Sequence, residues 1–159
     1  MTAISAKRAV EKDLTMQIDP RLSGYLSRAL SHEMAAVQQY LLQAKLTGMW
    51  GLSAQSAHFR NDVSEELVHA ERLMERMLEL GIPCNATQLP PIRPGRTLEE
   101  MLHIDRHLEI EAIRLYEEAA AYCARRQDAQ THALMRSILD DELGHLKELD
   151  QQLSALHKE

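Results

Sequence analysis

Four stretches of the chain carry a glutamate in register with an apolar helical stripe: SHEMAAVQQY, SEELVHAERL, HLEIEAIRLY and DDELGHLKEL. They supply Glu33, Glu66, Glu109 and Glu142. In the second and fourth, a histidine follows three residues later, as His69 and His145. Residues i and i+3 share one helix face, so each Glu-x-x-His aims a carboxylate and an imidazole at the same place. Four carboxylates converging in an apolar core cost several kcal/mol each unless they are paired or bound to metal. Two divalent cations would balance the four charges and leave two neutral imidazoles as nitrogen ligands.

The spacing supports one shared site. Glu33 to Glu66 is 33 residues, and so is Glu109 to Glu142. Glu33 to Glu109 is 76, and so is Glu66 to Glu142. Tyr40 lies seven residues after Glu33, and Tyr116 seven after Glu109. The two halves repeat in their polar interruptions, as a pseudo-twofold axis would require, and equal arms put all four carboxylates at one height. A single Glu-x-x-His in a Glu-rich helical chain is mostly chance; six ligand-type residues meeting two spacing equalities are not. Two lone Glu plus two Glu-x-x-His is the ligand set of di-iron and di-manganese carboxylate bundles. Mixed carboxylate and imidazole ligation suits iron or manganese, with zinc left open. Tyr40 reads as a phenol beside the metals, a hydrogen-bond donor to a ligand or a one-electron donor. Tyr116 reads as a core tyrosine. His32, His58, His103, His107, His132 and His157 share no such register and read as surface or inter-subunit groups.

The elements that must hold this set are long helices. Asp19-Pro20 is an N-cap followed by N1, and no further proline occurs until Pro83. Gly48-Met49-Trp50-Gly51 breaks the pattern once, giving helices at about 20–48 and 52–80, with Gly81 as a C′ residue. Pro90, Pro91 and Pro94 mark a crossover over 82–96, and Thr97-Leu98-Glu99-Glu100 is a capping box opening a third helix at 98–126. Gln127-Asp128 is a weak break before a fourth helix at 129–156. Stripes such as Phe59, Val63, Glu66, Ala70, Leu73, Met77 and Leu80 step by four and three, as packed helices require. The expected fold is all-α: a four-helix bundle over 19–159, two helical hairpins joined by a long crossover in the ferritin-like manner. Residues 1–18 are expected to form an N-terminal arm.

Composition agrees and narrows the classes. Only 4% of residues are aromatic, which suits helices better than sheets. A net charge of −6 argues against non-specific nucleic-acid binding, with Lys7, Arg8 and Lys12 the only basic cluster in the arm. Two cysteines are too few for a disulfide scaffold. No apolar run is long enough to span a membrane and no secretory signal opens the chain, so a cytoplasmic protein is expected.

From about Leu22 to Leu156 the chain resembles the bacterioferritins, on HEMAAVQQYLLQA followed by WGL, EELVHAERLMERMLELGIP, DRHLEIEA and ILDDELGHLKEL. The resemblance implies a ferroxidase centre at Glu33, Glu66, His69, Glu109, Glu142 and His145, with Glu66 and Glu142 bridging two irons. Glu33 with His69 would complete one iron, Glu109 with His145 the other, and Tyr40 matches a family tyrosine near the centre. The implied reaction is oxidation of Fe(II) by O2 or H2O2 for iron storage or detoxification, by a homo-oligomer that is at least a dimer, contacting through the first two helices. Three departures limit the carry-over. The family's haem-ligating methionine is Leu67 here, so no haem is expected. The chain stops at Glu159, where the family adds a short fifth helix, and an inner-surface histidine is replaced by Asn61; both leave the 24-subunit cage open. Two other readings share the bundle: a rubrerythrin-like di-iron peroxidase, against which the missing Cys-x-x-Cys module counts, and a non-catalytic mini-ferritin-type binding protein.

Overall fold

The computed structural model describes residues 18–85 and 89–158, so most of the expected N-terminal arm lies outside the described residues. Four helices account for nearly all of the rest: α1 Pro20–Met49, α2 Ser53–Glu79, α3 Leu98–Arg125 and α4 Ala129–Leu156. Among the described residues there is no strand, and no helix is long and apolar enough to cross a membrane. The architecture is the all-α four-helix bundle expected from the sequence.

Three of the four helices, α1, α3 and α4, start where a side chain satisfies free N–H groups of the first turn. Asp19 accepts from the backbone N–H groups of Arg21 and Leu22, with Pro20 opening α1. Thr97 Oγ1 accepts from Glu100 N at 3.1 Å, and Glu100 reaches back to the N–H of Arg96 at 2.9 Å, one residue further than a simple capping box. Asp128 caps α4 through the N–H of Thr131. The α1–α2 and α3–α4 hairpins pack closely within themselves, while α2 and α4 touch sparsely.

The core falls into two apolar clusters on opposite sides of the glutamates. One gathers Leu26, Leu30, Leu73, Met77, Tyr116 and Ile138 with their neighbours. The other gathers Tyr40, Phe59, Met101, Leu102, Leu149 and Leu153. The charged layer is thus sealed by hydrocarbon at both ends.

The crossover is tied to the bundle by a buried polar node. Gln39 exchanges hydrogen bonds with the backbone of Arg93, donating to its carbonyl and accepting from its N–H at 3.1 Å. Gln43 donates to the carbonyl of Pro94 at 3.2 Å and to Asp105 Oδ1 at 2.8 Å. Gly95 follows with φ +85, and a Cβ there would lie 2.9 Å from the backbone N of Met101, so only glycine fits. Asp105 Oδ2 and Gln43 Oε1 are buried without a donor. Burial outweighs the hydrogen bonds from Gln43 and Gln39 and pushes the Asp105 carboxyl from its ordinary 3.8 up to about 7.

A carboxyl with a raised folded-state pKa holds a proton that the unfolded chain has already lost. Its contribution to stability is therefore full near pH 4 and is lost as pH rises to about 7. Asp105→Asn keeps the shape without the charge. Urea denaturation should find it close to the parent near pH 4 and more stable by on the order of 2–4 kcal/mol at pH 8. A difference that does not change with pH would contradict the raised pKa.

Candidate metal centre

The middle turns of all four helices meet at one level. Glu33 from α1, Glu66 and His69 from α2, Glu109 from α3 and Glu142 from α4 are each at most 3% exposed, and His145 of α4 is half-buried beside them. The six residues singled out from the sequence are brought together. They form two overlapping groups, Glu33, Glu66, His69 and Glu142, and Glu66, Glu109, Glu142 and His145. Within each group one candidate ligand atom per residue lies within 4.8 Å of the others. Glu66 and Glu142 belong to both.

The imidazoles point the same way. His69 Nδ1 lies 3.1 Å from both Glu66 Oε2 and Glu142 Oε1, and 3.7 Å from Glu33 Oε2. His145 Nδ1 lies 3.1 Å from Glu142 Oε2 and 3.3 Å from Glu66 Oε1. The outer nitrogens turn away: His69 Nε2 meets Asp141 at 3.0 Å and His145 Nε2 meets Glu65 at 2.6 Å. An Nε2–H donated to a carboxylate leaves Nδ1 free to bind a cation and fixes the ring. Each of these carboxylates comes from the opposite hairpin, and Glu65 and Asp141 are themselves 76 residues apart.

Glu65 and Asp141 sit outside the apolar stripes, and the 76-residue repeat is the one signal in the sequence that points to them. Tyr40 donates to Glu109 Oε1, so it sits beside the ligand set. Tyr116, read as a core tyrosine, is fully buried and also donates to Glu33 Oε1. A cleft of about 550 Å³ between α2 and α4, lined by Glu65, Asp140, Asp141, Glu148 and both histidines, leads to the outer edges of the imidazoles.

The electrostatics show how six ionisable groups share one buried layer. Burial, with the carboxylates of Glu66 and Glu142 beside it, raises Glu33 well above the usual range. Burial and Glu142 do the same to Glu109. Burial would also raise Glu66, but hydrogen bonds from His145 and His69 outweigh it and hold Glu66 low. Glu142 is depressed further by the same two imidazoles. Burial opposes charge on the histidines, yet the facing carboxylates more than reverse it, lifting His69 strongly and His145 to about 12. Protons are thus drawn toward the two imidazoles, Glu33 and Glu109, and away from Glu66 and Glu142.

Cations fit this set. Glu33 Oε2, Glu66 Oε1 and Glu142 Oε1 are buried with no well-directed hydrogen bond, only an imidazole nitrogen 3.1–3.7 Å away. Two divalent ions would satisfy them and compete with the protons drawn to the imidazoles and to Glu33 and Glu109. Zn(II) titration in weak buffer should release protons, and the overall binding constant should fall as the solution is acidified. Release near zero would contradict the charge pattern above.

Comparison with known proteins agrees with this architecture. A family profile described as "Ferritin-like domain" matches residues 24–158. A bacterioferritin of Mycolicibacterium paratuberculosis is 34% identical over 144 residues, 90% of each chain. A bacterioferritin of Rhodobacter capsulatus is 34% identical over 139 residues, 87% of this chain and 86% of the relative. A bacterial ferritin of Synechocystis is 35% identical over 144 residues, covering 90% and 92%. With these similarities running along the whole bundle, the chain belongs to the bacterioferritins of the ferritin-like family.

Proposed function

We propose that the protein is a di-iron ferroxidase serving iron storage or detoxification, and that Fe(II) is its substrate. The observation that carries this reading is the pair of overlapping ligand groups sharing Glu66 and Glu142. In this reading Glu66 and Glu142 would be shared by two irons, Glu33 and His69 would complete one, and Glu109 and His145 the other. Two Fe(II) ions held side by side deliver two electrons together to O2 or H2O2. The protein's part is to place them. Asp141 and Glu65 hold the imidazole tautomers, Tyr40 and Tyr116 fix the terminal carboxylates, and the apolar clusters keep bulk water from both ends of the layer. Acidic Glu65, Asp140, Asp141 and Glu148 in the α2–α4 cleft favour the approach of a cation.

The relatives named above are bacterioferritins and a bacterial ferritin, and by that kinship iron is the metal of choice over manganese or zinc. Leu41 and Leu42 on α1 and Leu67 and Leu78 on α2 are exposed, which supports a homo-oligomer formed through these two helices. Leu67 lacks the sulfur lone pair that a methionine would offer haem iron, so haem is not held in the family's manner.

Metal analysis after anaerobic loading should find two irons per chain, with rapid Fe(II) oxidation on admitting O2 or H2O2. Glu66→Ala, checked for intact helix content by circular dichroism, should oxidise Fe(II) no faster than iron in buffer. A parent no faster than that variant would sink the ferroxidase reading. Expression with haem supplied should yield protein without a Soret band; a strong band would overturn the Leu67 argument.

A further inference from the structure

The two tyrosines of the layer are separated by the same 76-residue step as the ligands. Tyr40 of α1 donates its hydroxyl to Glu109 of α3, and Tyr116 of α3 donates to Glu33 of α1. The phenols approach from opposite sides, because Tyr40 belongs to one apolar cluster and Tyr116 to the other. Neither reaches solvent, at 3% and 0% exposed. For packing alone phenylalanine would fill the same space without a hydroxyl to satisfy. Instead each hydroxyl ends on an oxygen of a glutamate that belongs to a single ligand group.

We propose that Tyr116 is a second redox-active phenol, the counterpart of Tyr40, and that each supplies one electron and one proton when O2 is reduced at the centre. The inference rests on the ferroxidase reading. Complete reduction of O2 to two waters takes four electrons and four protons. Two Fe(II) ions supply two electrons. Each phenol O–H bond breaks, its electron passing to the oxidant and its proton moving, by way of the carboxylate oxygen that already accepts it (Glu33 for Tyr116, Glu109 for Tyr40), on to the oxygen being reduced. Solvent supplies the other two protons, the O–O bond breaks, and both oxygen atoms leave as water. Two further Fe(II) ions re-reduce the neutral tyrosyl radicals, with protons returning from solvent, so four Fe(II) are consumed per O2. With neither phenol, two electrons and two protons take O2 only to H2O2.

The test uses the full chain loaded anaerobically with two Fe(II), mixed with O2 and freeze-quenched for EPR, in the parent, Tyr40→Phe, Tyr116→Phe and the double variant. Each single variant should keep part of the parent's tyrosyl signal and the double variant should lose it. Released H2O2 should rise from parent through single to double variants. A Tyr40→Phe protein without a radical overturns the proposal, as does a Tyr116→Phe protein with the parent's radical yield and peroxide release. All variants should bind two Co(II) by absorbance titration as the parent does. A Tyr116→Phe protein that fails to bind them marks Tyr116 as a positioning residue for Glu33 and overturns the redox role. A parent that oxidises no Fe(II) sinks the ferroxidase reading and this inference together. Fe(II) oxidation in the parent with no radical in Tyr40→Phe sinks the inference alone.

Discussion

Charge compensation inside hydrocarbon governs this molecule. Four carboxyls and two imidazoles occupy one layer between two apolar clusters, where an isolated charge would cost several kcal/mol. The chain meets that cost by setting both imidazoles against Glu66 and Glu142 and by shifting Glu33 and Glu109 toward their uncharged forms. The hydrocarbon that makes the layer costly also raises its worth, because an attraction of given geometry is stronger where water is excluded.

A twofold repeat of one hairpin is an efficient way to build such a layer, and the two copies are interdependent. Glu33 takes its hydrogen bond from Tyr116, and Glu109 takes its own from Tyr40. His69 is oriented by Asp141, and His145 by Glu65. Every one of these pairs crosses from one hairpin to the other. Either hairpin alone would present half a ligand set with unoriented imidazoles and undonated carboxylates.

The parts of this structure that were legible in the sequence are those written as periodicity. Steps of four and three gave the helices, proline and capping residues gave their ends, and a carboxylate interrupting each stripe at equal spacing gave the six residues of the layer. What escaped has a common physical character. Glu65 and Asp141 lie off the buried stripes and resemble the many solvated acids of a helix surface. Tyr116 satisfies every rule for a core tyrosine, and a buried hydroxyl does not announce its acceptor. The crossover anchor is an amide–backbone exchange through Gln39 and Gln43, and a carbonyl oxygen is offered by every residue type alike. Asp105 interrupts a stripe as the ligands do, but its partner is the crossover and not the layer.

The sparse contact between α2 and α4 gives the bundle a seam. Each hairpin is welded internally by side-chain packing, whereas the line joining α2 to α4 is held by polar bonds, among them His69–Asp141, His145–Glu65, Arg72–Ser137, Arg76–Thr131 and Gln55–Gln152, beside a polar cleft. Local opening begins where apolar contact is thinnest. The cleft on this line already reaches the outer edges of both imidazoles, so a small cation of the proposed reaction would meet the layer at mid-bundle without any loop in its way.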